Sequence, residues 1–294
     1  MVASKTSERK PSFLKQRKIQ TRVVHTVVYA ILSILSVFFL IPLLWMVSTS
    51  LKDPRLILAN PPVWIPPHIT LENFSKGLQL MLPSFQRLFF NTTSITVLSV
   101  IGTLFSSSIV AFGFAIFPAR GKKVLFTLVL ATMMIPTQVT LIPQFILFAK
   151  LGWRDTWLPL IVPTFFAAPF FVFMFRQFYS TIPRDLYDSA ELDGCSPIQM
   201  YLYLALPLSK PAFVTAGIFA FLGAWNDLTN PLVYLSNMNK FTLTLGLAMF
   251  QGTNFTLLQY LMPMALLSIL PVLILFFLAQ KYFVQGIVTT GMKG

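Results

Sequence analysis

The chain has 294 residues, 55% of them hydrophobic and only 11% charged, with 30 phenylalanines and a mean hydropathy of +0.73. That composition excludes a soluble globular domain and points to an integral membrane protein. Its formal charge of +13 is assigned to membrane topology, as argued next, so no nucleic-acid partner is read from it.

In chain order, the basic segment 1–22 comes first. It is too long and too basic for a signal-peptide n-region, no small-residue cleavage site follows, and it is expected to stay in the cytoplasm. A helix needs about 20 apolar residues to cross the hydrocarbon, and six stretches qualify, at about 24–48, 89–117, 124–148, 157–179, 209–229 and 258–282. The expected architecture is all-α and integral to the membrane: a six-helix transmembrane domain over 23–284, then a tail, 285–294. With six spans, both termini and the 118–123 and 180–208 loops share one side. That side holds 15 of the 22 Lys and Arg, and the positive-inside bias makes it the cytoplasm. Pro136, Pro143 and Pro163 fall within spans, and stand either as functional bends or as plain packing kinks.

No phosphate loop, HExxH or GxSxG pattern and no pair of intramembrane carboxylates is present, so no catalytic residue is assigned and the chain is not read as an enzyme. The lone Cys195 and the isolated His25 and His68 offer no metal-ligand company. A proton- or ion-driven carrier usually needs mid-bilayer ionisable groups or inverted repeats, and neither is seen. Energy for uphill transport would have to come from a partner.

One loop breaks the pattern. Four of the nine acidic residues (Asp185, Asp188, Glu191, Asp193) fall within nine positions of "IPRDLYDSAELDGCSPIQMYLYLALPLSKPA", residues 182–212. A helix is expected from Pro183, suited to a first turn, to Gly194, suited to a left-handed cap. At 100° per residue, Ile182, Leu186, Ser189, Ala190 and Asp193 share a small, apolar face, and Asp185, Asp188 and Glu191 share a neighbouring acidic arc. A second short helical run, "SPIQMYLYLAL", leads to Pro207, and "LSKPA" opens the fifth span. An amphipathic helix lying on the membrane is the alternative. Such helices present Lys and Arg to anionic lipid, whereas the inner leaflet repels acids, which favours a docking element.

These residues resemble the EAA motif of ABC-importer permeases: EAA, three residues, G, nine residues, I, one residue, LP. Asp188, Ser189, Ala190, Gly194, Leu204, Leu206 and Pro207 carry it here, with Asp for the first Glu, Ser for the first Ala and Leu for the Ile. "NPPVWIPPHITLENF", "MMIPTQVTLIPQFILFAKLG", "GAWNDLTNPLVYL", "FTLTLGLAMFQG" and "QKYFVQGIVTTGMKG" are similar to the carbohydrate branch, of the maltose and glycerol-phosphate type. The resemblance implies a MetI-like six-helix fold in a bacterial or archaeal plasma membrane. It also implies a second related permease, two ATP-binding subunits, and an extracytoplasmic sugar-binding protein. ATP and magnesium would belong to the partner ATPase, with no cofactor in this chain. The 182–208 loop would be the coupling element, its contacts drawn from Asp185, Asp188, Ser189, Ala190, Glu191, Asp193, Gly194, Leu204, Leu206 and Pro207.

Sugar sites need aromatic faces and hydrogen-bonding side chains. The candidates for the substrate pathway are Gln138 and Thr140, expected near mid-bilayer, and Trp225, Asn226 and Asp227, expected near the outer interface, where an interfacial anchor or a cap is the alternative role. The tail "QGIVTTGMKG" is either a second ATPase contact or a frayed terminus. A permease for a non-sugar solute is the remaining alternative within the family.

Overall fold

The computed structural model describes residues 12–251 and 257–291, with side chains at 22–251 and 257–280. The end segments expected to be cytoplasmic lie partly outside them, at 1–11 and 292–294. The chain divides into two compact units, residues 1–71 and 72–294.

The first unit is led by α1 (Ser12–Ser50), whose stretch from Arg22 to Ser50 is long and apolar enough to cross a membrane. Beyond it, Trp64 packs edge-on against Trp45 at 4.9 Å between centroids, and Lys52 Nζ sits 3.8 Å over the Trp45 ring. Ser48 Oγ donates to Trp64 O, and Thr70 N–H donates to Leu51 O at 3.1 Å. These contacts fold the Pro-rich segment back on the helix end.

The second unit holds α2 (Glu72–Leu80), α3 (Phe85–Ile116), α4 (Lys122–Thr132), α5 (Thr137–Lys150), α6 (Pro169–Tyr179), α7 (Arg184–Leu192), α8 (Lys210–Trp225), α9 (Thr229–Tyr234), α10 (Leu243–Ala248) and α11 (Leu258–Gly291). Lipid tails are as apolar as leucine, so helices associate in a bilayer through close packing and interhelical hydrogen bonds. The centre is α3, which packs on α6, α8 and the 3₁₀ turn Val162–Phe165. Its buried face is small and polar, with Ser99, Gly102, Thr103, Ser107, Ser108 and Ala111. Backbones can therefore approach closely. Two apolar clusters form, one around Phe112, Phe175, Tyr179, Tyr187 and Tyr201, the other around Leu88, Trp225, Leu243 and Met264.

Among the described residues four helices are long and apolar enough to span, and six spans result if each of two bent pairs counts as one. The third expected span is one such pair: α4 and α5 meet at 93°. Pro136, extended at φ −60° and ψ 133°, starts α5, since proline lacks the N–H that would continue α4 and its ring pushes the preceding residue out of the helical region. Pro163 also lies at a break, in the 3₁₀ turn between Leu158–Ile161 and α6. Pro143 lies inside α5. Ser106 on α3 holds the second break, accepting from Ala167 N–H at 3.1 Å and donating to Thr164 O or Gly102 O.

Candidate coupling helix and solute cavity

α7 is set by its caps. Asp185 stands in the first turn, where the helix dipole favours an acid. At the other end Gly194 has φ +78°. Its N–H donates to Glu191 O at 3.0 Å and the next, Cys195 N–H, to Ala190 O at 2.9 Å, the paired bonds of a Schellman motif. An added Cβ at Gly194 would meet nothing within 4 Å, so the backbone angle and not space requires glycine. The chain restarts at once. Ser196 Oγ accepts from Gln199 N–H at 3.3 Å while Gln199 Oε1 accepts from Ser196 N–H at 2.7 Å, a capping box with Pro197 at the first position. The S-x-x-Q spacing of this box is legible in the sequence. Two helical pieces thus meet at a fixed corner.

Packing decides which side of α7 is buried. Tyr187 is its buried residue, 4% exposed, and lies 6.1 Å from the Phe112 ring on α3. Burial pushes its phenol up to about 12. Ile182, Ala190 and Cys195 turn inward with it, whereas Leu186, Ser189 and Asp193 face out beside Asp185, Asp188 and Glu191. The Tyr187 ring packs on Phe112, and the residues beside it on that stripe turn inward with it. The outer surface therefore mixes four carboxylates with Leu186, Leu192 at 89% and Ile198 at 71% exposure. Among the described residues Glu72 pairs with Lys76 and Asp155 with Lys240, and none of these four acids is in an ion pair.

After the corner, a π turn, Met200–Ala205, runs into Leu206–Leu208. Leu204 and Leu206 pack against the Phe112 cluster, and Pro207 is exposed. Segment 197–208 then meets α8 at 80° about Ser209.

A cavity of about 490 Å³ opens between α3, the Pro163 break, α6 and α8, bordered by Ser99, Thr103, Thr164 and Asp227 with the rings of Phe171 and Phe219. Hydroxyls and aromatic faces together suit a neutral polyhydroxylated solute. Of the five expected pathway residues only Asp227 borders it. Its carboxylate accepts from Asn230 N–H at 3.1 Å and Asn230 Nδ2 at 2.8 Å, capping the start of α9. Trp225 is packed inside the unit: it is 4% exposed, its indole N–H donates to Ser268 O at 3.1 Å, and its ring stacks on Phe221 at 5.3 Å. Asn226 closes α8 by donating to Leu222 O at 2.9 Å. Gln138 and Thr140 lie in the first turn of α5 outside the cavity border, Thr140 donating to Thr137 O at 3.0 Å. Their neighbour Thr137 reaches the border instead.

The end of this unit opposite α7 is closed by a clasp. Asp155 Oδ1 accepts from Asn237 N–H at 2.9 Å and Ser236 N–H at 3.0 Å, and Lys240 Nζ lies 3.1 Å from Oδ2. The two backbone donors above all, with Lys240 adding to them, hold the Asp155 carboxyl down at about 2. Asn91 Nδ2 donates to Asn239 O at 2.9 Å and Phe241 O at 2.8 Å, tying the same loop to α3.

Comparison with known proteins agrees with this architecture. The family pattern described as "Binding-protein-dependent transport system inner membrane component" matches residues 104–289. The arabinooligosaccharides transport system permease protein AraQ of Bacillus subtilis is 37% identical over 209 residues, 70% of this chain and 73% of that protein. The sulfoquinovosyl glycerol transport system permease protein SmoH of Agrobacterium fabrum is 31% identical over 274 residues, 89% of this chain and 92% of that protein. A crystal structure of a bacterial ABC transporter involved in the import of the acidic polysaccharide alginate superposes with a TM-score of 0.78 at 22% identity, covering 90% of this chain and 98% of that one, which establishes a shared fold. The chain belongs to the MetI-like family of binding-protein-dependent inner membrane components and is a permease subunit of an ABC importer.

Proposed function

We propose that this permease forms half of the pathway of a carbohydrate importer and that segment 182–208 is the joint through which a partner ATPase drives it. The observation that carries the coupling reading is the outer face of α7. Four unpaired carboxylates and exposed leucines stand on a helix pinned at Gly194 by its cap and anchored inward through Tyr187. Such a face suits a cleft with basic and apolar walls on a nucleotide-binding subunit, one for each of two permeases. ATP and magnesium belong to those subunits. The names of the relatives, which include transporters of arabinooligosaccharides, lactose and alpha-glucosides, together with the hydroxyl- and phenyl-bordered cavity, support an oligosaccharide or sugar derivative delivered by an extracytoplasmic binding protein. The Lys and Arg asymmetry supports a cytoplasmic α7 and cytoplasmic termini in a plasma membrane.

The test uses the importer co-expressed with its companion permease, ATPases and binding protein. In Asp188→Lys both permeases should stay in the membrane while ATPase retention on affinity purification and binding-protein-stimulated hydrolysis fall. Retention and hydrolysis equal to the parent would make α7 a mere surface helix. Uptake inhibited by oligosaccharides and indifferent to amino acids supports the cargo class, and the reverse rejects it.

A further inference from the structure

An 80° elbow between segment 197–208 and α8 transmits a push only if both arms are braced to something else. Its covalent path is weak. Pro207 and Pro211 remove two donors on either side of Ser209, leaving Ser209 N–H to Ala205 O and Phe213 N–H to Ser209 O, each at 3.0 Å, to carry the backbone round the corner.

The brace is on α3. Ser108 Oγ and Tyr201 Oη are 2.7 Å apart and buried, though 93 positions separate them. One turn further along α3, Phe112 meets Tyr201 at 5.4 Å, Tyr179 at 5.8 Å and Tyr187 at 6.1 Å between ring centroids. The α7 helix, through Tyr187, and the elbow arm, through Tyr201, therefore grip the same turn of α3. The π turn Met200–Ala205 adds a residue to the helical circuit at this point, and such turns often mark functional sites. Ser209 is fully buried and its hydroxyl returns to Ala205 O. Tyr179 lies beside both Ser108 and Ser209. Among the described residues the hydroxyls of Tyr179 and Tyr187 are buried with no hydrogen-bond partner, whereas buried hydroxyls are nearly always paired. A cluster with a spare donor next to a made bond can exchange partners when α7 moves.

We propose that the Tyr201–Ser108 hydrogen bond, seated on Phe112 with Tyr187, is the brace that makes the Ser209 elbow carry movement from α7 into α8. The proposal rests on reading α7 as the ATPase-docking helix. Tyr201 and Ser108 act as positioning residues, and neither borders the solute cavity.

The test follows α8 itself in the reconstituted full importer, with Cys195→Ser to remove the native thiol. Gly223→Cys provides the reporter, since Gly223 borders the cavity and an added Cβ there meets nothing within 4 Å. A membrane-impermeant maleimide is the probe, applied with and without ATP, magnesium and vanadate. Tyr201→Phe and Ser108→Ala should each keep the ATPases bound and hydrolysing while the nucleotide-induced change in labelling falls at least about fivefold, the low end of coupling between linked sites. The double variant should lose no more than either single, because both remove one interaction. Ser108→Thr, which keeps the hydroxyl, should respond like the parent. Singles that respond like the parent, a double whose loss is the product of the two, or a parent that shows no nucleotide-induced change would each overturn the brace. Asp188→Lys in the same background separates the two readings: unchanged ATPase retention there removes the docking helix and the brace with it, whereas lost retention together with parental labelling in Tyr201→Phe and Ser108→Ala removes the brace alone.

Discussion

Replacing Gly102 by alanine tests whether α3 packs as described. A Cβ at Gly102 would stand 2.5 Å from Phe165 Cδ2, 2.6 Å from its Cε2 and 2.6 Å from Thr164 Oγ1, about 1 Å inside normal contact. The phenyl ring is 42% exposed and has room to swing. Thr164 does not, because its hydroxyl donates to Ile161 O at 2.7 Å and its carbonyl faces Ser106 Oγ at 3.1 Å. Relief must come from moving the 3₁₀ turn, and overpacking of this kind costs about 1–3 kcal/mol. Gly113 on the same helix is the control, since a Cβ there meets nothing within 4 Å, and alanine in a helix interior gains up to about 1 kcal/mol over glycine. Thermal melting of the purified permease pair in one detergent should place Gly102→Ala below the parent and Gly113→Ala level with or above it, a gap on the order of 5 °C or more. Equal melting of the two variants, or Gly102→Ala the higher, would refute the packing of α3 on the Pro163 break.

Gly194→Ala keeps the space but not the angle, and should cost about 1–2 kcal/mol of left-handed strain; stimulated ATP hydrolysis should fall, with Gly194→Asn, which tolerates that region, retaining more of it. Trp225→Phe should lower the melting temperature by removing the bond to Ser268 O, a loss of about 0.5–1.5 kcal/mol, while the KM for uptake stays at the parental value; a raised KM would return Trp225 to the solute path. For Asp155 the folded carboxyl titrates below the unfolded one, so its stabilisation is complete above the unfolded value of about 4 and is lost as pH falls toward about 2. Melting followed from pH 5 down to pH 3 should decline in the parent and flatten in Asp155→Asn.

Much of α7 is legible locally. Pro183, the acids and Gly194 define a start, a dipole partner and a left-handed stop within twelve positions, and the S-x-x-Q box beside them obeys the same short-range rules. Which side of α7 is buried is not legible from the faces of an ideal helix, because Tyr187 is chosen by Phe112, some 75 positions away. Trp225 reads as an exposed aromatic near an interface until Ser268, Phe89 and Phe221 enclose it. The right-angle break at Pro136 and the intact helix at Pro143 show the same limit: both prolines are visible in the sequence, and the local rule that applies equally to each does not say which one breaks the helix.

The sequence by itself determined the membrane class, the number of apolar stretches, the helix caps of the coupling segment and the family motif, because hydropathy, caps and prolines act over one or two helical turns. Only the tertiary structure decided that the third stretch bends by 93° and that the coupling segment meets the fifth at 80°, that Asp227 and Thr137 border a cavity while Trp225 does not, and that Ser108 and Tyr201 share a hydrogen bond across 93 positions. Those outcomes depend on which surfaces meet, and a contact between distant residues leaves no periodicity in either of the segments that make it.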